Sequence, residues 1–180
     1  MDNISVIGIG KLGLCFALSL EKAGYSVVGV DIDERYVQDL NAKTFKSTEP
    51  LVHQMLQESK NFIATLDLNK ALHHSYIVFV VVATPSLDDG RYDHFQLNAL
   101  RDKLVHRGPQ ENTKHLIINC TTMPEYCAVL QDRLREYNWT VTYNPEFIAQ
   151  GSIIRDQESP DMVLIGEANK EAGDLVETIY

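Results

Sequence analysis

Residues 4–20, ISVIGIGKLGLCFALSL, run from a short β-branched stretch through three glycines into an amphipathic segment. No other part of the chain constrains its fold as much. An apolar run that passes at once through a glycine turn into a helical pattern is the opening of a β–α–β unit whose strand is buried on both faces. The rest of the chain repeats the alternation. NISVIG (3–8), YSVVGVD (25–31), YIVFVVVA (76–83), HLIINC (115–120), WTVTYN (139–144) and DMVLIG (161–166) predict six strands. Helical patterns fill the intervals at 12–23, 34–42, 49–59, 68–74, 93–107 and 124–137. The expected fold is a doubly wound, mainly parallel α/β sheet of Rossmann-like, three-layer architecture.

Composition narrows the partners. A formal charge of -9 with scattered Lys and Arg supplies no basic stripe, which argues against nucleic acid and anionic membrane surfaces. The longest strictly apolar run, residues 77–83, is far too short to span a bilayer. MDN leads directly into the first predicted strand, so no secretory leader is expected. Cys15, Cys120 and Cys127 form no C-x-x-C pair and suit a reducing, cytoplasmic setting. His73 and His74 read as a polar helix end, and no metal-binding spacing is present. In the final segment, Ala172, Leu175, Val176, Ile179 and Tyr180 fall at helical spacing up to the last residue. That pattern predicts a dinucleotide-binding domain over 1–166, with 167–180 as the start of a following helix, so the chain is expected to be either a domain of a longer protein or a natural truncation of one.

The spacing Gly8-x-Gly10-x-x-Gly13 then acquires a mechanical meaning. Gly8 permits the tight turn, Gly10 lets backbone approach a pyrophosphate, and Gly13 allows close helix–strand contact. The helix N-terminus offers unpaired N–H groups and the positive end of its dipole to phosphate. Asp31, at the tip of the second predicted strand, would accept hydrogen bonds from ribose hydroxyls and repel a 2′-phosphate, favouring NAD over NADP. Beyond it, Thr84-Pro85, Thr121-Thr122 and Glu146 stand at later strand ends, where doubly wound sheets bind ligands. Pro124 is expected in the first turn of the helix that follows Thr122.

Taken together, ISVIGIGKLG, VVGVDIDERYVQDLNA, STEPLVHQML, VATP, DDGRYD, TTMP and NPEFIAQGSIIRD…SPDMVLIG resemble the NAD-binding domain of UDP-glucose and GDP-mannose dehydrogenases, in that family's order. The resemblance implies NAD-dependent oxidation of a nucleotide-linked hexose at its C6 alcohol, through an aldehyde and a cysteine thioester, to the carboxylate. It implies that Gly8, Ile9, Gly10, Lys11, Leu12 and Gly13 hold the pyrophosphate and Asp31 the ribose. Val82, Ala83, Thr84 and Pro85, with Thr121, Thr122 and Gln150, would meet the cofactor. Thr122 and Glu146 would be catalytic, positioning the reacting oxygen and handling protons. Glu146, Phe147, Ile148 and Gln150 would wall the sugar site. The resemblance also implies a homodimer for the full-length protein, while the fragment is expected to be monomeric.

Four positions depart from the family's pattern. Lys11 replaces a tyrosine, Tyr36 a basic residue, Gln150 a glutamate, and EPLV lacks the glycine usual after Glu49-Pro50. The family's glycine-rich cysteine segment has no counterpart in these 180 residues. The three cysteines read as packing residues, and NAD binding without turnover is expected. Two alternatives differ in class: a stand-alone NAD-sensing module, and an NAD(P) enzyme of the β-hydroxyacid type, which would give no reason for NPEF.

Overall fold

The structure is a computed structural model that describes residues 2–180. Its elements are β1 (Asn3–Ile7), α1 (Lys11–Lys22), β2 (Ser26–Val30), α2 (Glu34–Asn41), α3 (Val52–Glu58), β3 (Phe62–Thr65) and α4 (Leu68–His74). They continue as β4 (Ile77–Val80), α5 (Phe95–Arg107), β5 (Lys114–Ile118), α6 (Tyr126–Leu134), β6 (Trp139–Tyr143), α7 (Ile153–Glu158) and α8 (Lys170–Ile179). Every strand pair is parallel, in the order β3-β2-β1-β4-β5-β6. Strand order reverses direction between β1 and β4, which opens a crevice above their carboxyl ends.

The continuous apolar runs follow from burial on both faces. Ile4 and Val6 of β1, Ile77 and Phe79 of β4 and Ile117 of β5 face a layer containing α1, α2, α3, α7 and α8. Ile7, Val78, Val80, Leu116 and Ile118 face α4, α5 and α6. Burying each such side chain contributes roughly 1.5–3 kcal/mol. Ala172 and Val176 of α8 are buried, Val176 against the same layer as α1, and Asn169 caps the helix by accepting from the Ala172 N–H.

Five elements differ from the sequence expectation. Residues 161–166 form no strand: Gly166 makes one antiparallel bridge to Tyr143, and Met162, Val163 and Leu164 are exposed. β3 and α7, both short, were not expected. α3 begins at Val52 rather than 49, because a residue before proline is pushed out of the helical region and Leu51 sits at φ +68. α6 begins at Tyr126 rather than at Pro124, since Glu125 takes φ +67; its last turn tightens into a 3-10 helix, Arg135–Tyr137.

Candidate functional site

The glycine turn lies at the crevice, and each glycine is there for a different steric reason. Gly8 has φ +88, and a Cβ on it would stand 2.6 Å from the Val81 carbonyl oxygen at the end of β4. A Cβ on Gly13 would stand 1.9 Å from the Gly8 oxygen, so helix and strand touch there. At Gly10 a Cβ would meet nothing within 4 Å: this glycine faces open space. The first intrahelical bond is Leu14 N–H to the Gly10 carbonyl, 2.8 Å, which leaves the N–H groups of Lys11, Leu12 and Gly13 without intrahelical acceptors. Gly10 has no side chain to cap them, and no acidic residue stands in the first turn. An uncapped helix mouth beside open space fits a diphosphate.

Asp31 follows β2 at the same edge. Its Oδ1 accepts from the N–H groups of Ile32 (2.8 Å) and Asp33 (3.2 Å), a turn that leaves Oδ2 for another donor. Tyr36 of α2 reaches back to the glycine turn. Its hydroxyl donates to the Ile9 carbonyl at 2.7 Å and its ring packs edge-on against Phe45, bracing the glycine turn from α2. Burial raises the Tyr36 pKa, keeping the hydroxyl a donor.

Lys11 is not free. Its ammonium lies 2.9 Å from Glu49 Oε1 and 3.4 Å from Gln150 Oε1. Glu49 is 4% exposed, and both its oxygens accept from the Gly151 N–H at 2.9 Å. The Lys11 hydrogen bond, with the Gly151 N–H behind it, holds the Glu49 carboxyl below the usual carboxylate range. Sequence reasoning passed over Glu49; the one available signal was a glutamate–proline turn in a chain whose glycine turn carries a lysine.

Across the crevice, Val82 packs beside Gly8, and Pro85 accepts from the Asp93 N–H at 2.8 Å, closing the 85–93 loop. Thr121 is exposed; Thr122 Oγ1 lies 3.9 Å from Cys127 Sγ. His94, also unanticipated, accepts the Met123 N–H at 3.2 Å and packs on Tyr126, and burial lowers its pKa. Thr122, Met123 and Cys127 line a hollow of about 600 Å³ with Val141 and Tyr143 of β6 and with Gly166. A larger hollow of about 880 Å³ opens at the opposite, amino edge, where Lys114 is spent on the Leu72 and Ser75 carbonyls.

Glu146 sits in a polar knot. Asn119 Nδ2 donates to the Asn144 carbonyl (2.7 Å), and the Tyr180 hydroxyl lies 3.0 Å from Asn144 Oδ1 and 3.1 Å from Glu146 Oε1. Burial raises the Glu146 pKa, and the Tyr180 hydroxyl partly offsets it. Phe147 and Gln150 are exposed, and Ile148 packs on the core. Burial pushes the Cys15 and Cys120 thiols to about 12, and Cys127 upward, so none is poised as a nucleophile.

The expected residues thus do not form one connected set. Gly8 to Gly13 meets Gln150 through Lys11, whereas Glu146 is tied to Asn119, Asn144 and Tyr180; among the described residues no hydrogen bond joins Thr122 to Glu146. Nor, among the described residues, is any helix long and apolar enough to cross a membrane.

A family model described as "UDP-glucose/GDP-mannose dehydrogenase family, NAD binding domain" matches residues 2–180. An uncharacterized protein of Methanocaldococcus jannaschii is 32% identical over 182 residues, covering 99% of this chain and 20% of that protein. GDP-mannose 6-dehydrogenase of Pseudomonas aeruginosa is 28% identical over 190 residues, covering 99% of this chain and 44% of the enzyme. The crystal structure of a ternary complex of GDP-mannose dehydrogenase from Pseudomonas aeruginosa superposes with a TM-score of 0.88 at 28% identity, covering 98% of this chain and 43% of that one. The chain spans less than half the length of each.

Proposed function

The chain belongs to the UDP-glucose/GDP-mannose dehydrogenase family, over the part that forms its NAD binding domain, and from that premise we propose that it is the coenzyme-binding part of a nucleotide-sugar 6-dehydrogenase. One observation carries the assignment: the uncapped mouth of α1, with open space at Gly10 and close contact at Gly13. When bound, NAD supplies a hydride acceptor for alcohol oxidation.

The chain's own residues supply the rest. The amides of Lys11, Leu12 and Gly13 bind the diphosphate, and Asp31 accepts from the adenosine ribose while repelling a 2′-phosphate. Val82 to Pro85 and Thr121 to Met123 border the nicotinamide side. Thr122 orients the reacting oxygen. Glu146, whose burial makes it a stronger base than a solvated carboxylate, accepts a proton from attacking water. Phe147, Ile148 and Gln150 extend that wall toward a sugar of the UDP-glucose or GDP-mannose class. On this reading the nucleophilic cysteine of the reaction comes from another segment: burial raises the pKa of Cys15, Cys120 and Cys127 alike, and among the described residues none has a hydrogen-bonded basic partner to activate it. The whole enzyme is a cytoplasmic homodimer, and residues 167–180, with α8, begin the helix that follows its NAD binding domain.

Calorimetric titration of the chain with NAD⁺ and NADP⁺ tests the assignment. NAD⁺ is expected to bind, NADP⁺ more weakly, and Asp31→Ala to narrow the gap. Equal binding of both coenzymes, or of neither, would overturn it. Incubation with NAD⁺ and UDP-glucose or GDP-mannose is expected to release no NADH; turnover by the chain alone would refute an external nucleophile.

A further inference from the structure

Resting on the assignment of a diphosphate to the α1 mouth, we propose that Glu49 is a built-in competitor for Lys11, an internal anion that sets the affinity of the coenzyme and its dependence on salt. Lys11 is the first residue of α1, directly after the one glycine of the turn that faces open space. A diphosphate on the α1 amides therefore lies within one residue of the Lys11 backbone. The ammonium, however, already sits 2.9 Å from Glu49.

The two partners are unequally held. The Lys11 side chain is 42% exposed on a flexible four-carbon stem, whereas that of Glu49 is 2% exposed. The Glu49 carboxylate is fixed by the Gly151 N–H on both oxygens, and its own N–H donates to Ser47 Oγ at 3.0 Å. Leu51, two residues on, is held at φ +68, a left-handed conformation that β-carbon sterics resist. The anion cannot follow its cation; the cation can swing. An arriving diphosphate competes with Glu49 for one ammonium, and it also feels the Glu49 charge whenever Lys11 leaves.

Neutralising Glu49 without changing its shape releases Lys11. For Glu49→Gln we expect NAD⁺ to bind about three- to tenfold more tightly at low ionic strength, with the gain vanishing in about 0.5 M salt. Lys11→Gln, which leaves Glu49 unpaired, is expected to weaken binding by about tenfold. The double variant K11Q/E49Q should return to within about twofold of the parent chain, because neither charge remains. A folded E49Q variant that binds NAD⁺ no more tightly than the parent would reduce Glu49 to a structural tie and overturn the proposal. Should E49Q not fold, the parent chain still decides the matter by NMR. The Glu49 carboxyl must titrate at higher pH when NAD⁺ is saturating, and an unchanged titration would also overturn it. Failure of the parent chain itself to bind NAD⁺ would instead remove the coenzyme assignment on which the inference rests.

Discussion

The glycine turn and the knot around Glu146 lie on the same edge of the sheet and are built in opposite ways. In the turn, residues 8–13 meet each other and the end of β4 backbone to backbone, with clearances too small for a Cβ at Gly8 and Gly13. Around Glu146, side chains from separate segments, Asn119, Asn144 and Tyr180, satisfy one another across the fold. The first is a steric device whose tolerance is fractions of an ångström. The second is an electrostatic device whose state depends on protonation. Substitutions in the two regions should therefore differ in kind as well as in size.

The largest effect is expected at Gly13. Its added methyl would stand 1.9 Å from a backbone oxygen that cannot turn away, so Gly13→Ala should cost more than about 3 kcal/mol in urea unfolding or prevent folding. Gly10→Ala sharpens the contrast. With nothing within 4 Å of its Cβ, stability should be nearly unchanged, yet NAD⁺ affinity in calorimetry should fall about tenfold to hundredfold as the methyl fills the diphosphate's place. A Gly10→Ala protein that binds normally would break the distinction between a glycine of the fold and a glycine of the ligand.

Tyr180→Phe comes next, and its effect should depend on pH. The raised Glu146 pKa means that its contribution to stability is present at low pH and lost as pH rises through the folded-state value. Removing the hydroxyl raises that value further, because the anion loses a donor. The variant should lose about 1–2 kcal/mol at pH 7 and less at pH 4, read by urea unfolding at both. Glu49 has the opposite sign: its lowered pKa contributes stability above the ordinary carboxylate range that is lost on acidification. A pH-independent loss in Tyr180→Phe would remove the electrostatic account of the knot. The smallest effect should be a gain. Leu51 is exposed, at φ +68, so Leu51→Gly should relieve left-handed strain and raise the melting temperature, by about 1 kcal/mol of stability.

The sequence made the β1–α1–β2 unit legible because its signals are local. A buried strand, three spaced glycines and a strand-end aspartate lie within 29 residues (3–31), and their geometry is fixed between chain neighbours. Where pattern failed, burial did not match apolarity. DMVLIG resembles a strand in composition, but Met162, Val163 and Leu164 gain no second face to cover them. FIAT was passed over because an edge strand of four residues needs little apolar length. Of the site, the sequence could name the turn and the strand ends, whereas Tyr36 bracing Ile9 and His94 holding Met123 required side chains to meet across 27 and 29 residues.

The sequence by itself determined a doubly wound sheet with a dinucleotide turn after its first strand, since hydrophobic period and glycine spacing act over a few neighbouring residues. Only the tertiary structure decided which charges share that turn. It brought Gly151 to Glu49 across 102 residues and Tyr180 to Glu146 across 34. Such encounters depend on how loops from different crossovers converge over one sheet edge. Coulomb and hydrogen-bond energies fall off over a few ångströms, so the state of each carboxylate was settled by that convergence and by nothing in its own stretch of chain.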